Sequence, residues 1–355
     1  MKSSSKKWDL NINHLLTNLS DEDKYVCVAG IPGPSFEMRS GTLPDGLSFG
    51  HGILNFSYKI GKTTNLDYKK INDYQKKLAK NYSPIKILDR CSKICSNFSS
   101  FAILITDYIN YFLRRLFGKP NENATDKIRT INLRVYRKNI EITYPANLVS
   151  LGLVWEIFAE EVYFLKNEVD CIYDLGANIG LSAIYFRLLN PSAKIVCVEP
   201  MKENIDLLKL NLSKNKVNAE IIEAAAGKER GETTLFFSGQ SHALPSLCTK
   251  QSYSRKISTI PFDEIIKGDR YGIKIDIEGS EAYLSEFPTI IKNASWIVGE
   301  LHYSGDKERD ALIDKLFSLI ENNFVVEKGR PIVYFVGSNA LLCKTFKAIN
   351  KKSYQ

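Results

Sequence analysis

The hydrophobic rhythm of the chain changes near residue 169. Beyond it, short apolar runs alternate with segments of helical period. That alternation predicts an α/β fold built on a mostly parallel sheet. Strands are predicted at 171–174, 194–199, 219–224, 272–277 and 295–303, and helices at 181–188, 203–212 and 307–321. Extended pieces between 233 and 262 interrupt the pattern. The segments 324–327 and 332–336 read as a terminal antiparallel hairpin turning at Gly329-Arg330-Pro331. Upstream, 130–136 and 140–144 read as a hairpin joined at Lys138-Asn139, and 153–164 has helical periodicity.

The first 125 residues lack this rhythm. Proline, glycine and serine cluster at 30–35 and glycine recurs through 41–52, which are loop signals. Residues 67–80 read as a polar helix, 101–117 as an amphipathic helix and 120–125 as a linker. The expected organisation is an extension of unknown fold and role (1–125), a lead-in hairpin and helix (126–168), the α/β domain (169–345) and a polar tail (346–355).

Composition narrows the class. Of 355 residues, 44% are hydrophobic and 25% charged, ordinary values for a globular protein. The net charge of +8 comes from scattered lysines, without a basic block interleaved with aromatics, so no nucleic-acid partner is expected. Seven cysteines are too few for a disulfide scaffold at this length, and Cys91 and Cys95 lack zinc or redox spacing. The polar start at 1–8 precedes no apolar core. A cytoplasmic protein with reduced thiols is therefore expected. The run at 101–113 is too interrupted to span a bilayer; it suits a core or interface helix, or peripheral membrane contact.

The densest chemical signal lies at the first core strand, Asp174-Leu175-Gly176-Ala177-Asn178-Ile179-Gly180. Gly176 ends the strand where the backbone must turn and a ligand must approach, and Gly180 opens a helix packed tightly on the sheet. Glu199 falls at the C-terminal end of the second strand, where a carboxylate can accept ribose hydroxyls. A dinucleotide site would carry G-x-G-x-x-G, but here Asn178 replaces the middle glycine. That favours a compact nucleoside ligand without a pyrophosphate, S-adenosylmethionine (SAM), with Asp174 placed to meet its amine. The alternative is an ordinary βαβ turn with a helix-capping Asn178.

The second signal is Lys274-Ile275-Asp276-Ile277-Glu278-Gly279-Ser280-Glu281. On a strand, Lys274, Asp276 and Glu278 share one face. Ionisable groups on a buried central strand are costly unless used or paired. At the matching edge of the next strand stand Glu300 and His302. Asp276 or His302 could take a proton from an acceptor hydroxyl, or a divalent metal held by carboxylates could lower that hydroxyl's pKa. The competing reading is a buried salt-bridge network around Lys274, with His302 a satisfied core histidine. His242 is a further candidate, on a substrate loop.

Together with Thr259-Ile260-Pro261-Phe262-Asp263-Glu264 and Glu300-Leu301-His302, these motifs make residues 130–340 resemble the FkbM family of class I SAM-dependent methyltransferases. The resemblance implies a Rossmann-like seven-stranded sheet with a C-terminal antiparallel hairpin, and O-methylation of hydroxyls on sugars or secondary metabolites. It implies that Asp174, Gly176, Asn178 and Gly180 line the methionine and ribose side of SAM and that Glu199 holds the ribose. Ala225 and Ala226 would then touch the adenine, and Asp276 and Glu278 would lie near the transfer. The expected partner is a saccharide or other polar small molecule. An RNA methyltransferase and a non-catalytic SAM-binding scaffold are the alternatives.

Overall fold

Cys171–Leu175, Lys194–Val198 and Tyr271–Ile275 are short and almost wholly buried, as parallel strands covered on both faces must be. They form the centre of the fold. The computed structural model describes residues 26–30, 56–58, 84–116, 127–238, 241–246, 253–336 and 339–354. In chain order its first elements are β1 (Val26–Gly30), β2 (Phe56–Tyr58), α1 (Pro84–Ile94), α2 (Phe98–Leu116), β3 (Ile128–Val135), β4 (Lys138–Pro145) and α3 (Leu148–Val154). There follow β5 (Cys171–Leu175), α4 (Leu181–Leu189), β6 (Lys194–Val198), α5 (Lys202–Lys214), β7 (Glu220–Ile222), β8 (Ala225–Gly227), β9 (Gly231–Ser238), β10 (Ser241–Ser246) and β11 (Tyr253–Pro261). The last elements are α6 (Phe262–Ile265), β12 (Tyr271–Ile275), α7 (Pro288–Asn293), β13 (Trp296–Tyr303), α8 (Lys307–Asn323), β14 (Phe324–Val336) and β15 (Asn339–Asn350).

Seven strands pair in the order β7-β6-β5-β12-β13-β15-β14. β7, β6, β5, β12 and β13 are mutually parallel, and β15 is antiparallel to both β13 and β14. This is the Rossmann-like seven-stranded sheet with a C-terminal hairpin that the sequence led us to expect. β1 extends it, parallel to β14, and β2 adds an antiparallel edge. A second sheet, β10-β9-β11-β8, is built from the extended pieces between 225 and 261.

Side-chain alternation along the central strands separates two apolar cores, one on each face of the sheet. Ile172, Ile195 and Cys197 belong to one core, with Leu104, Tyr144, Phe186 and Trp296. Tyr173, Val196 and Val198 belong to the other, with Phe262, Ile291, Leu316 and Phe346. Met201, Ala225, Leu235, Phe237 and Ile257 form a third, smaller core. The lead-in hairpin β3–β4 and helices α1 to α3 cover the first face. The sheet is thus sandwiched, and its strand ends are the places where polar chemistry is accessible.

The structure corrects three local expectations. β14 does not turn at Gly329-Arg330-Pro331; a register irregularity between Lys328 and Pro331 accommodates it, and pairing continues to Val336 opposite Asn339. A proline, lacking an N–H, is tolerated at such a break. The expected polar tail begins too early at 346: Phe346, Ala348 and Asn350 are buried on β15, and Lys347, Lys351 and Lys352 gave the stretch its polar look. The helix expected at 153–164 starts earlier, where the Asn147 side chain accepts from Ser150 N, and ends in a π-turn at Trp155–Ala159. The loops expected beyond Gly30, the helix at 67–80 and the linker at 120–125 lie outside the described residues.

Candidate active site

The C-terminal ends of β5, β6, β12 and β13 meet at one edge of the sheet. The turn after β5 is built by backbone that most residues cannot adopt. Gly176 has φ 79°, and a Cβ on it would stand 1.8 Å from the carbonyl oxygen of Asp276. Only glycine lets β5 approach the end of β12 so closely. Gly180 has φ 87° and caps α4, and a Cβ there would press to 2.6 Å from Leu208 Cδ1 of α5. Asn178, between them, also has positive φ.

Glu199 anchors this turn. It is 4% exposed. Its Oε2 accepts from Asn178 N at 3.0 Å, and its Oε1 from Met201 N at 2.9 Å and Asn204 Nδ2 at 3.1 Å. Burial, partly offset by these donors, raises its pKa. Two carboxylate oxygens offer about four lone-pair sites, so one direction on Oε2 is left beyond these three bonds. Ala225 and Ala226 lie nearby on β8, both buried, and Ala226 O accepts from Ser280 Oγ at 2.6 Å.

Asp174 is fully buried. Ser182 Oγ donates to its Oδ2 at 2.5 Å, while Oδ1 accepts no hydrogen bond, with Lys274 Nζ 3.4 Å away. Lys274 Nζ also donates to the carbonyls of Leu175 and Gly176 at 3.3 and 2.5 Å, and stands 3.6 Å from Asp276 Oδ2. The ammonium therefore clamps the ends of β5 and β12 together. For Lys274 the salt-bridge reading describes what the structure shows. Burial would lower its pKa, but Asp174 and Asp276 more than offset that and raise it.

Around this clamp lies a walled cleft of acids. Asp276 and Glu278 each keep 22% of their side-chain surface accessible, and Glu300 keeps 17%. Glu278 has φ 52°, a conformation non-glycine residues adopt at a cost, and backbone strain of this kind clusters at functional sites. Desolvation by the walls raises Asp276, and pushes Glu278 to about 8. Glu300 is held low: burial would raise it, but the neighbouring His302 and the Cys343 thiol, which donates to its Oε2 at 2.9 Å, outweigh that. His302 is 3% exposed and faces Glu300 Oε2 at 3.5 Å and Glu278 Oε2 at 3.8 Å. Burial would lower its pKa, but Glu278 and Glu281 raise it well above the usual histidine value.

Several groups here are invisible in the sequence pattern. Glu281, fully buried, accepts from His302 Nδ1 at 2.6 Å, His302 N at 3.0 Å and Gly279 N at 2.6 Å. Its place in the Lys274–Glu281 run hinted at relevance but not at this partner. Glu156, on the π-turn, is open to solvent yet walled by protein, and desolvation with the charges of Glu300, Glu160 and Asp276 pushes it to about 8. π-turns are often found at functional sites. Tyr163 closes the same side, its ring 5.8 Å from Lys274 Nζ. Two donor sets lie within 4.8 Å: Asp276, Glu278 and His302, and Glu300, His302 and Cys343. His242 lies on β10, whose side chains are outside the described residues.

The cleft can bind a cationic ligand and accept a proton, beside a turn shaped for close approach. Residues 174–324 match the family model described as the methyltransferase FkbM domain. The chain is 31% identical over 133 residues to methyltransferase sdnD of Sordaria araneosa, a match covering 35% of this chain and 50% of that protein. The chain thus spans about half the length of the curated relative it matches. Among solved structures it is similar to methyltransferase FkbM from Methylobacillus flagellatus KT, at 14% identity and TM-score 0.34, covering 79% of this chain and 62% of that one. It is also similar to M. jannaschii TYW2 in complex with AdoMet, at 14% identity and TM-score 0.34, covering 63% and 89%. Among the described residues, no helix is long and apolar enough to cross a membrane. The matched segment runs from the Asp174 turn to the first residue of β14 and holds nearly all of the cleft, and over these residues the chain is similar to methyltransferases of the FkbM domain family.

Proposed function

We propose that this chain is a SAM-dependent O-methyltransferase whose acceptor is a hydroxyl on a saccharide or other polar small molecule. The observation that carries the reading is the juxtaposition of the β5 turn with the acid cluster at the ends of β12 and β13. Bound SAM would supply a methyl group on a cationic sulfonium. The residues of the turn fit such a cofactor: Gly176 leaves no Cβ in the way, Glu199 Oε2 has a direction left for a ribose hydroxyl, and Asp174 Oδ1 is a buried oxygen without a hydrogen bond. Lys274 shares Asp174 with any cofactor amine, so the carboxylates of the cleft answer more than one positive charge. Ala225 and Ala226 present small side chains beside the turn, as a flat base requires.

Asp276 is the group we assign to take the acceptor's proton. It is accessible from the cleft and oriented by Lys274, and its raised pKa brings it nearer the working range of a base. Glu278 stands beside it at about 8. His302, held charged by Glu278 and Glu281, is the weaker of the two candidates for base.

Calorimetric titration of the full chain with S-adenosylhomocysteine tests the cofactor. Micromolar binding is expected, and it should be lost in the Asp174→Ala, Glu199→Ala double variant. An Asp276→Asn variant should still bind but transfer no methyl to any hydroxyl in a panel of glycans and nucleotide sugars. A folded wild-type chain that binds no S-adenosylhomocysteine would overturn the reading.

A further inference from the structure

We propose that Glu300, His302 and Cys343 form a binding site for a zinc-class divalent ion, set into the sheet beside the acid cleft. The three donors come from paired strands, not loops. Glu300 and His302 are two apart on β13 and share a face, and Cys343 on β15 lies directly opposite His302 in the antiparallel register. A carboxylate oxygen, an imidazole nitrogen and the thiol sulfur all lie within 4.8 Å of one another. Cys343 Sγ stands 2.9 Å and His302 Nε2 3.5 Å from Glu300 Oε2; the second edge already suits four-coordinate zinc, and the first would open by about half an ångström on binding. Bond lengths of about 2.0 Å to N and O and about 2.3 Å to S give donor separations of roughly 3.3–3.6 Å in a tetrahedron.

The surroundings support a ligand nitrogen at His302. Glu281, which is not one of the donors, binds Nδ1 at 2.6 Å and so directs Nε2 toward Glu300 and Cys343. A carboxylate behind the far nitrogen is how metal-bound histidines are oriented. Cys343 is fully buried yet points its sulfur at a carboxylate, where an ordinary core cysteine packs among apolar groups. The mixed N, O and S donors favour zinc over magnesium or calcium. The alternative set, Asp276 with Glu278 and His302, suits a cation less well, because the Lys274 ammonium already stands 3.6 Å from Asp276. On binding, the Cys343 thiol and the imidazole Nε2 give up their protons to solvent and bond the ion through sulfur and nitrogen. Glu278 Oε2 stands 3.8 Å from His302 Nε2, so an ion held here would face the acid cleft. There the ion would lower the pKa of an acceptor hydroxyl; this last role rests on the transfer reading above, while the site itself does not.

The test uses the full chain stripped with a chelator and titrated with Co2+ and with Zn2+. The expected result is one ion per chain and a thiolate-to-cobalt charge-transfer band in the near ultraviolet, which zinc displaces. Cys343→Ser should abolish the band and Cys95→Ser should leave it. Glu281→Gln, which keeps all three donors, should weaken binding by about 10–100-fold. Circular dichroism of each variant confirms folding. A wild-type chain that binds S-adenosylhomocysteine but gives no band and retains no zinc overturns the site and leaves the transferase reading standing. A band that persists in Cys343→Ser also overturns it. Failure to bind S-adenosylhomocysteine, with zinc bound normally, overturns the transferase reading alone.

Discussion

Gly176→Ala is the substitution whose outcome the geometry fixes most tightly. Its φ of 79° alone costs an L-residue about 1–2 kcal/mol. The added Cβ would also stand 1.8 Å from the Asp276 carbonyl oxygen, more than an ångström inside any contact such atoms make. The obstacle is backbone, so β5 and β12 must part, and overpacking of this kind costs about 1–3 kcal/mol more. The total is about 2–5 kcal/mol. Gly268 supplies the control: its φ is 92°, but a Cβ there meets nothing within 4 Å, so Gly268→Ala should cost only about 1–2 kcal/mol. The two variants and the wild type would be unfolded in urea, followed by tryptophan fluorescence, and titrated with S-adenosylhomocysteine. Gly176→Ala should be the less stable and should also lose ligand binding, because the atom that moves carries Asp276; a shift of about 1 Å at such a site costs on the order of 100-fold. Equal destabilisation of the two variants, within about 0.5 kcal/mol, would refute the claim that close strand approach selects glycine at 176.

Lys274→Met should destabilise the chain by about 3–5 kcal/mol, since it leaves Asp174 buried without its cation; Lys274→Met with Asp174→Asn should recover part of that loss in thermal unfolding. Glu199→Gln should retain the fold while weakening S-adenosylhomocysteine binding tenfold or more, because a charged acceptor for the ribose becomes neutral; unchanged affinity in calorimetry would remove Glu199 from the cofactor site. Glu156 carries a pH signature. Its folded pKa of about 8 lies above the ordinary 4.5, so the native state holds the extra proton and stability falls as pH rises from about 4.5 through 8. Glu156→Gln should therefore stabilise the chain at pH 8.5 relative to pH 5.5, by roughly 1 kcal/mol after allowing for the side chain's solvent access; a pH-independent difference in melting temperature would show that Glu156 does not feel Glu300 and Asp276.

Features that depend on local geometry could be read from the chain alone. Glycines at 176 and 180 need positive φ, and the central strands need near-continuous apolar runs, so the order of strands and helices and the glycine turn were legible. So was the run from Lys274 to Glu281, because ionisable residues are out of place on a buried strand. Tertiary structure decided what depends on pairing. Residues 26–30 join the sheet beside β14, some three hundred positions away, a choice no local pattern encodes. The turn at 329–331 was misplaced because proline and glycine mark breaks of register as well as turns, and only pairing distinguishes them. Lys274 was legible as charged and central, but its engagement with two carbonyls of the neighbouring strand required the register of β5 against β12. Cys343 belonged to no motif in the sequence, and only the antiparallel pairing of β15 with β13 set it opposite His302. Glu156 lies on the π-turn and Tyr163 in the irregular backbone beyond it, where the sequence pattern predicted continuous helix to 164. Spacing along a chain sets which face a side chain takes, whereas its company across strands is set by register, which arises from burial of the whole sheet.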